Sequence, residues 1–115
     1  MAVDTQYLKE KTTSPLDMQL LADGDPINLS GVDHVRMDMI DAQGQVYRYA
    51  SNVPSPCVEI FDAINGKVRF SPPSESIFSY LKSPYRIYWT IFNTTTQHYA
   101  CPDESWGEIV VQKEF

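Results

Sequence analysis

The segment Ser83–Asn93, SPYRIYWTIFN, decides the fold. Tyr85, Ile87, Trp89 and Ile91 alternate along it with Arg86, Tyr88, Thr90 and Phe92. Successive side chains of a β-strand point to opposite faces, so the first set makes one continuous apolar row. A helix would scatter the same residues around its axis, and the β-branched and aromatic content also favours extended backbone. Pro84 suits the opening position of a strand, where a missing N–H does least harm. The segment reads as the central core strand, with Trp89 at its middle. Nothing in it is catalytic.

Shorter stretches with the same alternation lie on both sides of this strand. Val35, Met37 and Met39 alternate with Arg36 and Asp38 in a half-buried strand, and Asp41-Ala42-Gln43-Gly44 reads as a hairpin loop with a left-handed glycine. The return strand, Gln45 to Ala50, sets Tyr47 and Tyr49 on one face and Val46, Arg48 and Ala50 on the other. Upstream, Leu16 to Leu21 is a strand ended by the turn Ala22-Asp23-Gly24-Asp25-Pro26, followed by an extended Ile27-Asn28-Leu29 and a turn at Ser30-Gly31. After the proline-rich Asn52–Pro56, Val58 and Ile60 begin a strand, Asp62–Gly66 turns, and Val68 and Phe70 alternate with Lys67 and Arg69. Ser71–Ser83 is the one place for a helical turn, capped by Ser74 with Ile77, Phe78 and Leu81 inward, carrying the chain between sheets. Past the turn Asn93–Thr96 come a short strand Gln97–Cys101, a loop to Trp106, and the last strand Gly107–Gln112 with Ile109 and Val111 on one side.

About eight short strands with turns every 8–12 residues predict an all-β domain, an immunoglobulin-like Greek-key β-sandwich, with an eight-stranded jelly roll as the competing architecture. Residues 15–115 form this single domain. Residues 1–14 are polar and without period, and read either as a frayed, flexible arm or as a segment that orders against a neighbouring subunit.

The chain has 115 residues, 43% hydrophobic and 21% charged, within the range of one ordinary globular domain. Its formal net charge of −6 argues against nucleic acid, which needs clustered Lys and Arg, and against an anionic membrane surface. The N-terminus MAVDTQYLKEK has no apolar stretch of the kind a secretory signal requires, and no segment approaches the roughly 18 apolar residues of a membrane span. A cytosolic start is expected. Cys57 and Cys101 are then expected as buried thiols; paired, they would close a loop of roughly 44 residues worth about 4 kcal/mol.

Chemistry is sparse. There is no Gly-rich phosphate loop, nucleophile elbow or paired-His motif. His98, Cys101 and Cys57 lack the paired spacing of a zinc site, and His34 and His98 have no nucleophile in a recognisable activating context. The pairs Asp23/Asp25 and Asp38/Asp41 fall at turns, where Asp bonds to backbone. The expectation is no enzyme, no metal and no cofactor. What remains is surface: Tyr47, Tyr49, Tyr88 and Phe92 lie opposite the assigned core rows, and with Tyr7 and Leu8 of the arm they are the candidate protein interface. A one-residue slip in register would turn any of these faces inward.

The order of motifs from about Ser14 to Val111 resembles a known family. Gly24-Asp25-Pro26-Ile27-Asn28-Leu29-Ser30-Gly31 is similar to its "G-x-P-x-(D/N)-L-(S/T)-G", and is followed by Val35-Arg36-Met37-Asp38-Met39 and the turn at Gly44. Asp62 with Gly66-Lys67-Val68-Arg69-Phe70 is like its "D-x-x-x-G-x-V-x-F"; Tyr85, Pro102 and Gly107–Val111 complete the pattern. The chain thus resembles the immunoglobulin-like N-terminal domain of tailed-phage upper baseplate proteins, although Pro84 replaces the family's usual glycine turn before Tyr85.

The resemblance implies a non-enzymatic bacteriophage virion structural protein, assembled in the host cytoplasm. It would dock on other tail or baseplate proteins, with a homo-oligomer possible. With Phe115 just past the last strand, a free-standing module is expected. Two alternatives stand beside it: a capsid decoration protein, and a carbohydrate- or cell-surface-binding module in which Tyr47, Tyr49 and Trp106 stack on sugars.

Overall fold

The strand Tyr85–Phe92 lies at the centre of the larger sheet, and beside it His34–Ile40 buries its alternate residues Val35, Met37 and Met39 completely. In chain order the strands are β1 (Asp4–Lys9), β2 (Leu16–Gln19), β3 (Leu21–Ala22), β4 (Asp25–Pro26), β5 (His34–Ile40) and β6 (Val46–Ala50). They continue with β7 (Val58–Asp62), β8 (Lys67–Phe70), β9 (Tyr85–Phe92), β10 (His98–Ala100) and β11 (Gly107–Gln112). The structure is a computed structural model and describes residues 4–54, 56–102 and 105–113.

One sheet has the order β1-β11-β9-β5-β6, with β10 also on β9; a second has the order β2-β8-β7. β3 and β4 form a small hairpin whose turn residues Asp23 and Gly24 have φ of 54° and 81°, the left-handed pair that a two-residue hairpin turn requires. The fold is nearly all-β, and both sheets contribute to one hydrophobic core, as in a β-sandwich.

The central strand behaves as its alternation predicts. Tyr85, Ile87, Trp89 and Ile91 are all at most 1% exposed, and Trp89 stands opposite Met37 in the β5–β9 ladder. Trp89 Nε1 has no hydrogen-bond partner among the described residues. Leaving a buried N–H unpaired costs about 1–3 kcal/mol, comparable to what burial of a large side chain returns, so this ring is held by packing alone.

The arm expectation is corrected for residues 4–9. They form β1, parallel to the last strand, with Asp4 opposite Gly107 and Lys9 opposite Gln112. The pairing is made by backbone groups and needs no apolar period, which is why the sequence pattern gave no sign of it. Residues 1–3 lie outside the described residues.

The crossover is also corrected. Its ordered turn is a 3-10 helix, Tyr80–Lys82, capped by Ser79, whose side chain accepts from the Leu81 N–H. Phe78 is buried, but Leu81 is 70% exposed. A single 3-10 turn of three residues has no second turn to set Leu81 beside Phe78.

Gly66 has φ +67, and a Cβ there would stand 2.6 Å from the Ile27 carbonyl oxygen and 2.8 Å from that of Leu20. Only glycine fits where this turn meets the chain after β2 and β4.

Candidate protein interface

Register decides which of the proposed interface residues reach the surface. On β6, Tyr47 stands opposite Met39 and Tyr49 opposite Met37, both buried methionines, so the two tyrosines point inward. They join a run of rings spanning both sheets and the crossover. Tyr49 packs on Phe70 at 5.1 Å between centroids, Phe70 on Phe78 at 6.3 Å, Phe78 on Tyr85 at 5.4 Å and Tyr85 on Tyr47 at 6.4 Å. Burial pushes the phenols of Tyr47, Tyr49 and Tyr85 above their ordinary pKa. Tyr47 and Tyr49 are therefore corrected from interface to core. β6 carries aromatics on one face and Val46 and Arg48 on the other, and sequence alternation alone does not say which face is inside.

Tyr88 and Phe92 do lie on the outer face of the larger sheet, half-buried by neighbours. Tyr88 meets Trp106 edge-on at 4.9 Å, and the Trp106 Nε1–H donates to the Cys101 carbonyl. Phe92 sits in a cross-strand row between His34 and His98, at centroid distances of 4.2 and 4.7 Å, with the Arg36 guanidinium 5.5 Å from its ring. Asp33 Oδ2 lies 2.6 Å from His34 Nδ1. Between these aromatic groups Asp38 is flanked by Arg36 at 3.2 Å and Arg48 at 3.4 Å. The face also carries Val46, Ile40, Arg86 and Val110. It is mixed in polarity, with its charges largely paired.

In β1 the two candidates separate. Leu8 is half-buried against the core and leaves the interface set, whereas Tyr7 is 66% exposed on the outer face beside Val110. Sequence reading missed Val46, Phe61, Ile64, Leu81 and Tyr99 as exposed apolar groups. Position in a strand alternation gives no signal for residues at edges and turns.

The titratable residues are scattered. Among the described residues no group of three or more His, Cys, Asp or Glu converges as a metal site would. Cys57 and Cys101 are both free thiols. Burial pushes the Cys101 thiol up to about 12. Cys57 lines an apolar cavity of about 250 Å³ with Arg36, Arg48, Tyr49, Ala50 and Val53 on the open side of β6. The His98 ring Nδ1 lies 3.1 Å from the Thr96 carbonyl, away from any ligand set.

Asp41 has an organising role. Its Oδ1 accepts from the Gln43 and Gln45 N–H groups at 2.9 and 3.0 Å, and its Oδ2 from the Tyr47 hydroxyl at 3.0 Å. Burial works to raise its pKa, but the bonds from Gln45, Tyr47 and Gln43 and the charge of Lys82 outweigh it and hold the carboxyl below its usual range.

Of the sugar-stacking set, Tyr47 and Tyr49 are inside and Trp106 stands apart from them. No protein-family model matches the chain. No curated protein matches it either.

Proposed function

We propose that the chain is a bacteriophage virion structural protein, an immunoglobulin-like module that docks on other tail or baseplate proteins and carries no catalysis of its own. The supporting observation is the way the sandwich is tied together. The Tyr85 hydroxyl, at the start of β9, donates to the Ile77 carbonyl at 2.9 Å and accepts from the Ser79 N–H at 2.9 Å. A tyrosine bonding back to the chain just upstream of this strand is the corner found in immunoglobulin-like sandwiches. The strand orders agree with it: β1-β11-β9-β5-β6 over β2-β8-β7 corresponds to the larger variable-type sheet over the smaller one. Together with the motif order from Ser14 to Val111, this favours the baseplate-domain resemblance over a jelly roll.

For docking, the module offers an outer sheet face with Tyr88, Phe92 and Trp106 half-buried, and an edge strand with Tyr7 exposed. Immunogold labelling of purified virions with antibody against the recombinant domain tests the reading. Gold at the tail tip is expected. Gold spread over the head assigns it to capsid decoration instead, and unlabelled particles overturn the virion role.

A further inference from the structure

Independently of the virion reading, we infer that the cavity beside β6 is a binding site for a small carboxylate carried on an apolar body. It lies where the chain leaves the larger sheet at Ala50 for the smaller one, on the side of β6 that has no strand neighbour. Its volume is about 250 Å³, and Arg36, Arg48, Tyr49, Ala50, Val53 and Cys57 line it.

Both halves of such a ligand are matched. The Tyr49 ring, Ala50, Val53 and the Cys57 thiol make an apolar wall, and the ring is held in place by packing on Phe70 at 5.1 Å. Beside this wall stand two guanidiniums that share one carboxylate. Asp38 Oδ1 lies 3.2 Å from Arg36 Nε and 3.4 Å from Arg48 Nε, and Asp38 Oδ2 accepts from Arg36 Nη2 at 3.3 Å. The terminal amino groups of Arg48 are left without an acceptor among the described residues, on a side chain 65% exposed. The Tyr49 hydroxyl likewise has no hydrogen-bond partner among the described residues.

This surplus of donors is local. On the smaller sheet the ratio is reversed: Arg69 is held by Asp17 at 2.7 Å and faces Glu59 at 3.8 Å, so one guanidinium serves two carboxylates. In a chain of net charge −6, the mouth of the β6 cavity thus carries an uncompensated positive charge over an apolar wall. A ligand carboxylate restores the balance through charge-assisted hydrogen bonds of the planar kind that guanidinium favours. The charge alone holds little at an exposed arginine, so the apolar body must supply the rest by covering the wall. Pockets for drug-sized ligands begin at roughly 300 Å³, which limits this occupant to a single ring or a short branched chain.

An amide-resolved NMR titration of the full chain tests this, with benzoate as the probe and benzamide as its neutral counterpart. Benzoate should shift the Ala50 and Val53 amides saturably. Benzamide should bind about tenfold more weakly, the difference between a charge-assisted and a neutral hydrogen bond. Arg48→Gln should abolish that preference while its melting transition stays cooperative. Saturating benzoate should also slow alkylation of Cys57 by neutral iodoacetamide, because the thiol lines the same cavity. Shifts that do not saturate overturn the inference, as does equal affinity for the two probes or a preference that survives Arg48→Gln. An alkylation rate at Cys57 that benzoate leaves unchanged overturns it as well.

Discussion

Replacing Asp41 tests whether one carboxylate holds the β5–β6 hairpin in register and thereby fixes Tyr47 and Tyr49 in the core. Asp41→Ala removes three acceptor contacts, to Gln43 N–H, Gln45 N–H and the Tyr47 hydroxyl. The two amides belong to exposed residues and regain water, whereas the Tyr47 hydroxyl is half-buried and regains less. At about 1 kcal/mol for each bond, the loss is about 2–3 kcal/mol, which for a chain of this length lowers Tm by roughly 10 °C. Asp41→Asn keeps one carbonyl acceptor and offers an amide to the tyrosine oxygen, so it loses only the charge assistance, about 1 kcal/mol. Urea unfolding followed by Trp89 and Trp106 fluorescence measures both.

The same experiment has a pH arm with a definite sign. The folded pKa of Asp41 lies below its ordinary value, so its contribution is complete above about pH 4 and is lost as pH falls through the folded pKa. The gap between wild type and Asp41→Asn should therefore be constant from pH 7 to 5 and shrink toward pH 2. If Asp41→Ala costs under about 0.5 kcal/mol, or the Asn gap is unchanged at pH 2, the organising role assigned to Asp41 is wrong.

Three other perturbations have expected outcomes. Tyr85→Phe strips the hydroxyl from the Ile77 carbonyl and the Ser79 N–H while keeping the ring, and should cost about 1–3 kcal/mol in urea unfolding; a neutral result would remove the main support for the corner. Gly66→Ala combines a positive φ with backbone contacts under 3 Å and should cost about 3 kcal/mol or more, read as low soluble yield or a Tm at least 10 °C down. Thiol labelling at pH 8 should modify Cys57 in the native protein and Cys101 only after unfolding, since Cys101 is 3% exposed and burial raises its pKa to about 12. Equal native rates would contradict the packing around Cys101.

The core was legible because it is written with period two. The rows Val35-Met37-Met39, Tyr85-Ile87-Trp89-Ile91 and Ile109-Val111 needed no partner to be recognised, since one face of each is uniformly apolar. Turn chemistry was equally local: Asp23-Gly24, Gly44 and Gly66 all take the left-handed backbone that their residue types favour. What sequence alone left open was every choice between two faces or two partners. Tyr47 and Tyr49 went inside because pairing with Met37 and Met39 put them there, and β6 in isolation is equally compatible with the opposite facing. Leu81 turned out to solvent because the crossover makes one 3-10 turn instead of a helical face.

β1 marks the limit most clearly. Its residues have no period because backbone groups of β11, just over a hundred positions later, hold it in the sheet. Local sequence determined which residues seek burial and where the chain reverses, since both depend on a residue and its neighbours. Tertiary structure decided which faces are covered and which edges stay open, because strand pairing is made by backbone groups that every residue shares.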